Sequence, residues 1–186
     1  MTRRLIVNRR HQSGITLLEI LIAVVVLSIG LLGVAGLQLT GLKNGQQSYQ
    51  RSQATSLAYE IADRMRANRL QAVANAYQLN PGTGATTAPA APAPDCSAAA
   101  CTGAQLAAWD VYDWYRRLRA TLPTGAGAPA GARIECSLPA ACASGVLQTV
   151  TIIWDEDRTG AADPSCPAGV PDSKIYLACF KISFAP

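Results

Sequence analysis

Residues 20–37 form an apolar run of eighteen residues with no charged side chain, about the length that crosses the hydrocarbon core of a bilayer as a helix. One carboxylate, Glu19, stands at its edge, and Arg3, Arg4, Arg9 and Arg10 precede it with no acid among them. A carboxylate deep in lipid costs about 2.5–3.5 kcal/mol even on lenient insertion scales, so Glu19 requires a neutralising partner. A secretory signal carries a shorter apolar stretch, about 7–15 residues, that ends in small residues at its cleavage site. A plain anchor has no use for the acid. A cut after Gly14 supplies a partner, because it creates an α-amino group at Ile15, four residues before Glu19.

Charge follows the same division. Lys and Arg number 16, four of them in the leader, against 12 Asp and Glu that all lie beyond it. The formal +4 is therefore a topology signal that holds the leader in the cytoplasm and sends the rest across. It gives no support for nucleic-acid binding by the balanced remainder. His11, the single histidine, is in the leader, so no histidine base or ligand is available after a cut at Gly14.

The junction Ser13-Gly14-Ile15-Thr16-Leu17-Leu18-Glu19 resembles the class III signal of type IV pilins and pseudopilins. The resemblance implies cleavage by prepilin peptidase between Gly14 and Ile15, N-methylation of Ile15, and an assembly role for Glu19. Ile15 stands where the family usually has Phe. It further implies a single-pass inner-membrane protein with its head in the periplasm, later incorporated in an extracellular filament with other minor pilins and the major pilin.

Beyond the run, apolar residues recur at Leu39, Leu42, Leu57, Ile61, Met65, Leu70 and Val73, which predicts a helix over residues 15–78. At 1.5 Å per residue it would be about 95 Å long, similar to the pilin spine. Gly30, Gly33, Gly36, Gly41 and Gly45 each lower helix propensity by about 1 kcal/mol relative to Ala. They are read as sites of close packing in the monomer, with unwinding in a filament as the other reading. Residues 80–95, with Pro81, Pro89, Pro92 and Pro94, cannot continue a helix and read as a surface linker.

A second helix is signalled by the Thr102/Gln105 spacing of a capping box, by a face of Ala107, Val111, Trp114, Leu118 and Leu122, and by Pro123 as its end. Trp109, Tyr112 and Tyr115 beside Arg116, Arg117 and Arg119 could form a stacking platform. Core plus a solvated basic face is the preferred reading, since Asp110 and Asp113 precede the arginines at pairing distance. Strands are predicted at 132–136, at 146–154 with Val146, Gln148, Val150, Ile152 and Trp154 on one face, and at 175–184 with Tyr176, Phe180, Ile182 and Phe184 on one face. The fold class expected is α+β and pilin-like: a long helix packed on a small antiparallel sheet. The Trp-bearing helix ending in Leu122-Pro123-Thr124-Gly125, the strands, and the turn Trp154-Asp155-Glu156-Asp157 resemble in order the PilV group of minor pilins.

So small a head needs staples, and all six cysteines fall where topology places oxidising surroundings. Sequence proximity pairs Cys96 with Cys101, Cys136 with Cys142 and Cys166 with Cys179, although six cysteines leave other pairings open. None has Cys-x-x-Cys spacing, so no metal or other cofactor is expected of them. Asp155, Asp157, Thr159 and Gly160 match the first half of a calcium loop, but Cys166 stands where its bidentate Glu belongs. A solvated turn is the preferred reading of this stretch. No phosphate loop or nucleophile elbow occurs, so the chain is read as a structural protein and not an enzyme.

The organisation expected is a leader over 1–14, a membrane and filament half-helix over 15–38, a periplasmic half-helix over 39–79, a linker over 80–95 and a head over 96–186. The function expected is that of a minor pilin that primes type IV pilus assembly and sits at the filament tip. A minor pseudopilin of type II secretion and a membrane-anchored periplasmic enzyme or binding domain are the alternatives.

Overall fold

The structure, a computed structural model, describes residues 14–80, 87–124, 130–136, 145–156 and 178–186. The leader arginines, Pro81, Cys142, Asp157, Thr159, Gly160, Cys166 and Tyr176 lie outside the described residues. The elements run in the order α1 (Leu17–Ala67), α2 (Arg69–Val73), α3 (Gly103–Thr121), β1 (Gly131–Cys136), β2 (Gln148–Trp154) and β3 (Ala178–Phe184). This is the expected α+β plan, a long N-terminal helix packed on a three-stranded antiparallel sheet.

The chain divides into two units after Gly45. In the first, α1 is helical without interruption through Gly30, Gly33, Gly36 and Gly41. A methyl group placed at any of these glycines would meet no atom within 4 Å. The close packing expected for them within the monomer is therefore not found. Two hydroxyls within this part of α1 turn back onto their own helix. Ser28 Oγ donates to the Val24 carbonyl at 2.7 Å and Thr40 Oγ1 to the Gly36 carbonyl at 3.1 Å, which satisfies them in apolar surroundings.

The second unit begins at Gln46. Here α1 buries Gln50, Ala54, Leu57, Ala58, Ile61, Ala62 and Met65, a stripe at three- and four-residue spacing. Alanines 54, 58 and 62 leave room beside the larger side chains. Trp114 of α3 is fully buried in the same core, and its Nε1 donates to the Leu57 carbonyl at 2.8 Å. That bond satisfies the one polar atom of a large apolar side chain.

The predicted α3 face is buried throughout, from Ala107 through Val111, Trp114 and Leu118 to Leu122. Its start is fixed by a complete capping box between Thr102 and Gln105, which pairs two otherwise orphaned N–H groups. The disulfide Cys96–Cys101 ends one residue before that cap, with its Cα atoms 5.6 Å apart.

In the sheet β2 is central, antiparallel to both neighbours. The register lines up Ala132, Ile152 and Phe180 in one row and Ile134, Val150 and Ile182 in the next. These residues belong to or pack against the core that holds α1 and α3. Every residue of β2 is buried, so its second face, with Thr149, Thr151 and Ile153, is covered as well.

The helix predicted to reach residue 78 ends at Ala67. Asn68 leaves helical geometry at φ −112°, ψ 50°, and its Nδ2 donates to the Gly103 carbonyl at 2.8 Å. The phase is reset there: Leu70 is 83% exposed and Ala72 is buried. α2 then closes at Asn75, whose φ of 65° is left-handed. Asn75 N bonds the Ala72 carbonyl and Ala76 N the Gln71 carbonyl, the pattern of a Schellman end with Asn in the usual Gly place. Leu79 then pairs with Ile134 along the free edge of β1.

Candidate functional site

The Gly14–Ile15 bond lies in exposed, non-helical chain just ahead of α1. Thr16 opens the helix, its Oγ1 accepting from Glu19 N at 3.3 Å and its carbonyl from the same N–H at 3.1 Å. Thr16-x-x-Glu19 is the spacing of a capping box, a signal present in the sequence but overshadowed there by the charge of Glu19. Glu19 is the one acid of the first turn, where the helix dipole favours negative charge. Helix entry and the acid's placement are thus built from the same four residues.

Beyond Glu19 the helix presents an apolar surface, continuous with the residues just before it. Ile15, Leu17, Leu18, Leu21, Val26, Leu31, Leu32 and Leu37 are all more than half exposed. α1 holds a window of mean hydropathy 2.8, none of it buried, long and apolar enough to cross a membrane. Glu19 is the only charged side chain between residues 15 and 42.

A second cluster, which sequence reasoning missed, joins α1 to α3. Arg64 reaches Asp110 Oδ1 through Nη1 at 2.9 Å, and Glu60 and Asp113 through Nη2 at 2.9 and 3.3 Å. Arg117 bridges the same two acids at 2.6 and 2.9 Å. Tyr77 donates to Asp110 Oδ2 at 2.8 Å. Burial alone would lower the Arg64 pKa, but Asp110, Glu60 and Asp113 outweigh it and hold the guanidinium charged. The Tyr77 phenol is pushed far up, first by burial and then by its bond to Asp110. The sequence assigned Asp110 to a solvated face. It is buried instead, as the meeting point of two elements.

The turn after β2 needs a similar correction. Asp155 is fully buried rather than solvated, because it directly continues a strand covered on both faces. The Glu156 side chain is 8% exposed and takes two bonds from Arg51 of α1, at 2.9 and 3.1 Å. Asp157, the other weak calcium candidate, lies outside the described residues, and no group of three metal-ligating side chains occurs among those described. Cys136 and Cys179 are disulfide-bonded; the pairings expected for them involve Cys142 and Cys166, outside the described residues.

Of the predicted platform, Tyr115 is in the core. Trp109 and Tyr112 form a tilted pair with ring centroids 5.7 Å apart, and the Arg116 guanidinium lies 5.9 Å from the Tyr112 ring.

Comparison with known proteins adds two matches. Residues 9–35 match the prokaryotic N-terminal methylation motif, and residues 36–112 match the family model described as type IV pilin Tt1218. No curated protein and no solved structure matches the chain. The motif implies processing by prepilin peptidase and assembly with other pilins, and with the exposed apolar helix it fits a membrane anchor that later enters a pilus. A pilin family suggests a structural protein rather than an enzyme. The chain thus matches an N-terminal methylation motif followed by the model of a type IV pilin, and these two matches together support its reading as a type IV pilin.

Proposed function

We propose that the chain is a minor pilin of PilV type that primes type IV pilus assembly and occupies the filament tip. The observation that carries this reading is the exposed apolar half of α1 with Glu19 as its only charge. Such a surface is costly in water and is covered either by lipid or by the same surface of other subunits. In this reading prepilin peptidase cuts between Gly14 and Ile15, and Ile15 is N-methylated. Glu19 then compensates the amine of Ile15, on its own subunit or on a neighbour, and sets the register in which subunits enter the filament.

The head supplies specificity. Its surfaces meet other minor pilins and the major pilin, and the remaining staples pair Cys136 with Cys142 and Cys166 with Cys179. Deletion of the gene tests the reading together with immunogold labelling of sheared pili. The proposal expects pili to be lost or few, restored by the wild-type gene but not by Glu19→Val, with label at filament ends. Normal piliation with a defect in protein secretion would overturn it in favour of a secretion pseudopilin.

A further inference from the structure

The two edges of the sheet are finished differently. Along β1, Leu79 and Ile134 exchange both backbone bonds at 3.0 Å, and Asn80 Nδ2 donates to the Ala132 carbonyl at 3.2 Å. That edge is closed by the chain itself. Because Ile134 gives its N–H and carbonyl to Leu79, alternation makes Arg133 and Glu135 the residues of β1 that bond β2. The unbroken register carries the alternation on to β3, where Phe180 and Ile182 bond β2 while Lys181 and Ser183 turn their N–H and carbonyl groups outward. None of these outward groups meets a backbone partner among the described residues.

The side chains at this edge are incompletely covered as well. On the core face the inner positions Ala132, Ile134, Val150 and Ile152 are fully buried, whereas Phe180 and Ile182 are only partly so. The apolar layer therefore runs out to the β3 edge and stops short of cover. On the other face Lys181 is exposed and forms no ion pair among the described residues, although Arg133, on the far strand, reaches Glu135 at 3.5 Å. The end of β3 is anchored. The Arg66 guanidinium lies 5.1 Å from the Phe184 ring, and Arg69 Nε donates to the Pro186 carbonyl at 3.1 Å. The open edge is thus presented in a fixed, extended form.

We propose that the outer edge of β3 accepts an extended strand from a partner protein, which places a carboxylate beside Lys181 and apolar side chains beside Phe180 and Ile182. Added strands take affinity from main-chain bonds and specificity from alternate side chains. The period of two sets the pattern, since the residues flanking the acid fall on the core face. Lys181 also selects the occupant. A second copy of β3, paired antiparallel through Lys181, would set the two ammonium groups directly opposite or one diagonal step apart, where like charges destabilise. A lysine on an open edge discourages indiscriminate pairing, and an acidic strand turns the same charge into a favourable cross-strand pair. In a pilin the partner is another subunit of the filament, and this identification alone rests on that reading.

The test uses the full chain in non-ionic detergent and the fluorescence anisotropy of a labelled peptide, Thr-Val-Thr-Val-Glu-Val-Thr, capped at both ends. Binding should be saturable and weaken by about 5-fold when Lys replaces the peptide's Glu, and Lys181→Glu should reverse that preference. Ser183→Pro removes one outward N–H without touching a bond to β2, a change that edge strands tolerate, and should weaken binding by about 10-fold. Ser183→Ala, which loses only the hydroxyl bond to Thr149, should retain it. A cooperative thermal transition shows each variant to be folded. No binding at about 1 mM peptide, no reversal by Lys181→Glu, or undiminished binding by folded Ser183→Pro would overturn the proposal. None of these results bears on processing at Gly14, so the pilin reading stands or falls separately.

Discussion

Arg64 on α1 and Asp110 on α3 are 46 residues apart in the chain and meet at 2.9 Å, with Tyr77 holding the second carboxylate oxygen at 2.8 Å. Two separate segments are thus tied to a single acid on a third, in the zone between the helices. Removing one partner of such a pair leaves its mates desolvated and unpaired, which costs about 3–5 kcal/mol for fully buried pairs. A quarter of the Arg64 side chain remains exposed, and Glu60 and Asp113 still hold it. Asp110→Ala should therefore destabilise the head by about 2 kcal/mol, and Asp110→Asn, which still accepts from Tyr77, by less. Denaturant unfolding of the full chain gives both numbers.

Tyr77 makes stability depend on alkali. Its pKa lies above the ordinary 10.0, through burial first and the Asp110 bond second. Between pH 10 and the higher folded value, the unfolded chain releases the phenolic proton while the folded chain keeps it. The unfolded state then binds fewer protons, so stability is full below about pH 10 and falls as pH rises beyond it. Tyr77→Phe should lose about 1–2 kcal/mol at neutral pH and show a shallower fall above pH 10. Thermal midpoints of the two proteins from pH 8 to 11 measure the difference.

Arg51 and Glu156 form a two-pronged pair, but the Arg51 side chain is 63% exposed. Solvent screening should keep their coupling small, at about 0.5–1 kcal/mol, and reduce it further at 1 M salt. A double-mutant cycle with Arg51→Ala and Glu156→Ala reads this directly. A larger, salt-insensitive coupling would mean that the turn after β2 is fixed to α1 more firmly than the geometry indicates.

Cys96 and Cys101 close a loop of sequence separation 5 immediately before the cap of α3. A loop this short constrains the unfolded chain modestly, by about 2 kcal/mol on the chain-entropy account. Replacing both by Ser should lower the unfolding free energy by about that amount and leave the α3 capping box in place. Hydrogen exchange at Gln105 N, which bonds the Thr102 hydroxyl, reports on the cap.

Where a residue's fate was decided locally, the sequence was a good guide. The Thr102/Gln105 cap and the Ala107-to-Leu122 face were both visible as spacing, because a helix turns its neighbours into a fixed pattern. The strands were legible in the same way, as β-branched alternation. The end of α1 was not, since Asn68 breaks the helix with a side chain that reaches Gly103, a partner that exists only in the folded chain. Asn75, a residue tolerant of left-handed backbone, was the available clue to the end of α2. Asp110 and Asp155 misled for one reason. Acidic residues in a helix or turn are mostly solvated, and the reversal here comes from the partners of Asp110 on α1 and from the burial of the strand preceding Asp155. At the N-terminus, the Thr16 and Glu19 pairing shows how much four residues can specify, because helix entry, dipole and acid coincide.

The central claim is that Gly14 and Ile15 form a processed junction whose product is a filament subunit. Mass spectrometry of the N-terminal peptide, from cells with and without prepilin peptidase, tests it most directly. The account predicts a chain beginning at N-methylated Ile15 only when the peptidase is present. A leader that stays attached in both strains, or a chain that begins beyond residue 37, would contradict it.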